Sequence, residues 1–82
     1  MKHAGNAALD KLEDLLSSVR AIDGLKEKSR GVFYRKSDAF LHFHEDAEGL
    51  FADLQADGSW QRFCVNTKEE RLKLLARIKG AL

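Results

Sequence analysis

Leu9, Leu12, Leu15, Leu16, Val19 and Ile22 recur three and four residues apart, so they form one apolar stripe and predict a helix over residues 7–22. Asn6 is placed to cap its start and Gly24 to end it. A second helix is predicted over residues 68–80. Thr67 and Glu70 have the T-x-x-E spacing of a capping box, Leu72, Leu75 and Ile78 supply the stripe, and Gly80 sits near the stop. Between the two helices the period changes. Residues 32–35, 40–45, 50–55 and 60–65 are rich in aromatic and branched side chains and read as strands. Turn residues separate them: Ser37-Asp38, then Asp46 to Gly49, then Asp57-Gly58, the last suited to a type I′ hairpin turn. The expected order is α-β-β-β-β-α, an α+β two-layer sandwich in which an antiparallel meander carries both helices on one face.

Turn lengths set register, and register decides which side chains share a face. A two-residue loop at Asp57-Gly58 pairs Ala56 with Ser59, Leu54 with Gln61, Ala52 with Phe63 and Leu50 with Val65. A four-residue loop from Asp46 to Gly49 pairs Glu45 with Leu50, Phe43 with Ala52 and Leu41 with Leu54. Both loops send the same apolar rows towards the helices. The opposite face then holds His42 beside Asp53 beside Arg62, His44 beside Phe51 beside Cys64, and Phe40 beside Gln55 beside Trp60. The first strand is open to two registers. A two-residue turn at Ser37-Asp38 puts Phe33 and Arg35 on this outer face, and a three-residue turn makes Phe33 core.

A sheet face left in water normally shows Thr, Lys, Glu and Ser. Phe40, Phe51 and Trp60, interleaved with His42, His44 and Arg62, depart from that and invite association. The leading expectation is therefore a non-enzymatic interaction module that homodimerises through its open sheet face. A tail or helix folded across the face is another way to cover it.

The same face carries the candidate chemistry. His42-x-His44 places two imidazoles on one side of a strand, with Asp53 and Cys64 on neighbouring strands as possible partners for a small ligand or a metal ion. The plainer alternative is two half-buried histidines, with His42 hydrogen-bonded to Asp53 across the strands. His42 beside Asp53 also has the form of a base and its orienting carboxylate, with Cys64 as the available nucleophile. A chain this short leaves little room for a pocket that excludes water, so no catalytic residue is assigned.

The chain has 82 residues, room for a single domain spanning 1–82, and Leu, Ile, Val and Phe make up about 27% of it, enough to build a core. With 14 basic and 13 acidic side chains the net charge is +1, which disfavours a globally basic nucleic-acid binder. The charge is nevertheless uneven. Residues 26–36 carry +4, residues 66–82 carry +3, and residues 38–57 carry −6. Segments 26–36 and 68–79 thus offer weak nucleic-acid binding as a further alternative, opposed by the acids beside His42 and His44. No apolar run is long enough to span a membrane. Asp10, Glu13 and Asp14 interrupt the leucines where a signal peptide would be apolar, and Cys64 is the one cysteine, both fitting a cytoplasmic chain. There is no G-x-x-x-x-G-K-[ST], no G-x-G-x-x-G and no EF-hand loop between Glu45 and Asp53, so no cofactor is implied.

The segments Gly31-Val32-Phe33-Tyr34, Phe40-Leu41-His42-Phe43-His44-Glu45-Asp46 and Phe51-Ala52-Asp53-Leu54 resemble a family of small uncharacterised bacterial proteins. That resemblance covers the middle third of the chain and implies no activity. The order helix, antiparallel sheet, helix is similar to the MmcQ/YjbR-like and frataxin-like folds, which lay helices on one face of a sheet. No residue motif carries over from either.

Overall fold

The computed structural model describes residues 2–82. It is an α+β two-layer sandwich with the order β1 (Lys2–His3), α1 (Asn6–Lys11), α2 (Glu13–Arg20), β2 (Leu25–Ser29), β3 (Val32–Arg35), β4 (Asp38–Asp46), β5 (Gly49–Ala56), β6 (Ser59–Cys64) and α3 (Lys68–Ala81). Strands β2 to β6 form an antiparallel meander in sequence order, and β1 pairs with the far end of β4. All three helices contribute to one apolar cluster against one side of the sheet.

The register read from the two turns is the observed one. Leu41 pairs with Leu54, Phe43 with Ala52, Glu45 with Leu50, Ala52 with Phe63 and Ala56 with Ser59. Asp57 and Gly58 have φ of 54° and 78°, the left-handed conformations of a type I′ turn. At the other turn pairing continues to Asp46 and Gly49, which leaves a tighter loop without altering the register.

Besides the added strand β1, four features differ from the expectation. The single helix over 7–22 is two, bent at Leu12 (φ −100°, ψ 7°), whose side chain is fully buried. No Pro or Gly lies there, so the bend comes from packing: it lets Leu9, Leu12, Leu16 and Val19 all reach the core. Its first cap is Gly5 rather than Asn6. Residues 25–29, which carry no strand pattern in the sequence, form the edge strand β2. In α3 the capping box of Thr67 and Glu70 forms, but Leu74 and Ile78 are the buried pair and Leu72 is exposed.

The fourth difference bears on the open face. Phe33 pairs with Leu41 and Tyr34 with Ala39, so β4 has a bulge with one extra residue, Phe40, opposite β3. A bulge turns consecutive side chains to the same side. Phe40 and Leu41 therefore both enter the core, at 4% and 0% exposure. This corrects the placement of Phe40 on the outer face. It also settles the first strand: the turn is Lys36-Ser37, Phe33 is core, and Val32 and Tyr34 lie half-buried on the other side.

The β2–β3 turn is tied to the helical layer. Gly31 has φ +79°, and a Cβ there would stand 2.7 Å from Leu9 Cδ2. Its N–H donates to Glu27 Oε2 at 2.9 Å. Around this turn Arg20 bridges Glu13 and Glu27, and Arg30 bridges Asp10 and Glu13. Arg30, of the basic segment 26–36, is thus engaged with carboxylates.

Candidate functional site

β4 alternates strictly beyond its bulge: Leu41 and Phe43 are buried, while His42 and His44 face the opposite side. β1 brings a third imidazole to them. His3 lies directly opposite His44 in the ladder, and β1 is held by the Ala4 N–H donating to Phe43 O (3.0 Å) and the Gly5 N–H donating to Glu45 Oε2 (2.6 Å). Opposed residues share a face, so the three rings gather. Their centroids are 4.9 Å apart for His3–His44, 5.6 Å for His3–His42 and 6.1 Å for His42–His44. Trp60, on β6, reaches back across β5 to stand 5.0 Å from the His42 ring.

Asp53, on β5, anchors the cluster. Arg62 Nε donates to its Oδ1 at 2.8 Å and Arg62 Nη2 to its Oδ2 at 2.9 Å. The paired guanidinium holds the Asp53 carboxyl below the usual carboxylate range, against the opposing effect of burial. His44 Nε2 stands 3.1 Å from Asp53 Oδ2, with side-chain exposures of 13% and 15%. This is a close approach of ring and carboxylate rather than a well-aligned hydrogen bond. Among the described residues His44 Nδ1 is the buried side-chain nitrogen or oxygen without a hydrogen-bond partner.

His42 is pushed below its ordinary pKa, first by burial and then by the neighbouring His3 and His44, with Asp53 acting in the other direction. At His42 the neutral imidazole, which donates an electron pair, is therefore favoured over an imidazolium that would attract an anion. Next to it, β1 and β3 leave a gap along the same edge of β4. It opens a groove of about 390 Å³ whose lining includes His3, Val32, Tyr34 and His42.

The sequence-predicted residues divide accordingly. His42, His44, Asp53, Trp60 and Arg62 come together. The contact with Asp53 is made by His44, on the diagonal, rather than by its direct partner His42. Cys64 is exposed on the edge strand beside Phe51, and Phe40 is in the core. His3 was not singled out from the sequence: it lies about forty positions from its neighbours and in no apolar pattern. No family model, no curated protein and no solved structure matches the chain.

As the side chains stand, no three of the described His, Cys, Asp or Glu residues are arranged to hold a metal ion. The His3–His44 separation of 4.9 Å matches coordinated rings, while His42 stands wider, 5.6 Å from His3 and 6.1 Å from His44. With Zn–N bonds of about 2.0–2.1 Å and tetrahedral angles, two coordinated imidazole centroids lie roughly 5 Å apart. What is missing is ring orientation. Moving an imidazole well off its rotamer costs about 0.5–1.5 kcal/mol. Structural zinc sites supply about 10–16 kcal/mol, so rotation is not the deciding cost.

Proposed function

We propose that this protein is a non-enzymatic binding module whose open sheet face takes a divalent transition-metal ion of the zinc type through His42 and His44. The observation that carries the reading is the buried Nδ1 of His44, which has no hydrogen-bond partner, on a ring whose other nitrogen stands 3.1 Å from Asp53. Imidazoles that bind metals characteristically give their second nitrogen to a carboxylate, which fixes tautomer and orientation. Zinc binding would give the unpartnered nitrogen its missing partner. The all-imidazole donor set favours zinc, copper or nickel over magnesium or calcium, which prefer oxygen. The test is calorimetric titration of zinc into the wild type and the double variant His42→Ala, His44→Ala. The wild type should bind at least about 100-fold more tightly, since losing an outer-shell partner alone costs about 10–100-fold. Equal affinities overturn the reading.

Self-association through the same face is a second reading, favoured by Trp60, which is 46% exposed, and by the half-buried Phe51 further along the sheet. Transferring Phe40 to the core leaves this face fewer aromatics than the sequence promised. Light scattering at micromolar concentration decides it: a homodimer supports the reading, and a 9.2 kDa monomer removes it.

A further inference from the structure

We propose that His3 is a third nitrogen ligand, so that capturing a zinc-type ion and docking the N-terminal strand β1 are one event. The inference rests on the reading of His42 and His44 as metal ligands and adds a ligand from a separate part of the chain. Three observations meet here. His3 is directly across the ladder from His44, and its ring is nearer to His44 than His42 is, 4.9 Å against 6.1 Å. His3 is exposed, so its ring is free to turn towards the unpartnered Nδ1 of His44 without disturbing the core. The strand that carries it has two residues and pairs only with β4.

So short a strand has few bonds to hold it and belongs to the part of a fold that opens first. Its neighbour is open on one side, because β3 and β1 follow the same edge of β4 with a groove between them. Asp53 is the positioning residue in this arrangement: its Oδ2 lies against His44 Nε2 while Arg62 grips both of its oxygens. Anything that binds the docked form and not the undocked form stabilises docking by mass action. A metal bridging His3 to His42 and His44 does so directly. Metal occupancy is then reported along the chain as immobilisation of residues 2–5. The same three side chains give, in one arrangement, a selective site and a clasp on a chain end.

The experiment uses zinc alone on the full chain, with His3→Ala, His3→Gln and the His42→Ala, His44→Ala double variant. Affinity is measured by calorimetry and docking by amide hydrogen exchange at Ala4 and Gly5, whose N–H groups bond to β4. The expected result is a loss of at least about tenfold in zinc affinity for both His3 variants. Zinc should slow exchange at Ala4 and Gly5 in the wild type and not in those variants. Wild-type affinity in both His3 variants, with zinc leaving the Ala4 and Gly5 amides unchanged, overturns the role of His3. If the double variant still fails to bind in that case, the His42–His44 reading survives it. Undiminished binding by the double variant overturns both.

Discussion

The two sides of β4 are made from alternate residues of one strand and obey opposite rules. On the inner side Leu41 and Phe43 are buried with Leu54, Ala52 and the helical leucines, and among the described residues no polar or charged residue is buried there. On the outer side His42 and His44 are half-buried among polar groups, and a nitrogen is left without a partner. The inner face is locally consistent, with every residue agreeing on burial. The outer face keeps an unmet hydrogen-bonding need, a kind of conflict that folded chains retain mainly where they have a use for it. Stability therefore belongs to one side of the strand and candidate chemistry to the other, and substitutions should separate them.

The largest effect should come from Phe40→Ala set against Phe51→Ala. If the bulge turns Phe40 inward, its removal costs about 3–5 kcal/mol, the range for truncating a core phenylalanine. Phe51, half-buried on the open side, should cost about 1 kcal/mol. Urea denaturation of both checks this, and equal losses would return Phe40 to the outer face.

Next is Gly31→Ala, at the turn that joins sheet to helices. A methyl group there meets both a positive φ and Leu9, so a loss of about 1–3 kcal/mol is expected. Thermal unfolding reads it, with Gly58→Ala as the companion. Gly58 also has positive φ but nothing within 4 Å of the added carbon, so its smaller loss isolates the Leu9 contact.

Asp53→Asn removes a charge from the outer side. A hydrogen bond to a charged group is worth about 1.5–3 kcal/mol, and the half-exposed Arg62 brings the expected loss to the lower end. Zinc affinity should fall by about 10–100-fold in the same variant. A loss of stability with unchanged affinity would make Asp53 a partner of Arg62 alone.

The smallest effect concerns acid. His42 has a folded pKa below its ordinary value of 6.5, so the folded state binds fewer protons than the unfolded one. Its contribution to stability is complete above 6.5 and is lost as pH falls through the lower, folded value. Wild-type stability should therefore decline on the acid side of 6.5 more steeply than that of His42→Ala. Denaturation midpoints from pH 7 to pH 5 compare the two.

How much of this could be read from residues alone follows from where punctuation lies. Asp57-Gly58 and the acidic turn after Asp46 are strong signals, and the β4–β5–β6 register from Leu41 onward, with its two faces, follows from them. The edge strand β2, Leu25–Ser29, has no such signal. Its Lys-Glu-Lys-Ser run reads as a loop, and it is a strand because β3 supplies its backbone partners and Arg20 neutralises Glu27. In α3 the leucines at 72, 74 and 75 allow two rotations of the helix, and only the sheet beneath chooses Leu74 with Ile78. The bulge at Phe40 leaves no local trace, since it resolves a competition between strands for the core. The outward pair His42 and His44 was visible because alternation alone decides it. His3 was not, because a long-range pairing of two residues with β4 has no signature in composition or period.

Trp60 is the only tryptophan in the chain, and its ring lies 5.0 Å from that of His42. The protein thus carries one native fluorophore seated against one imidazole of the candidate site, with no second indole to dilute its signal. Its emission should respond to a proton, a quenching ion or a neighbouring copy arriving on that face, so a cuvette and an unlabelled sample suffice to follow events at the histidines.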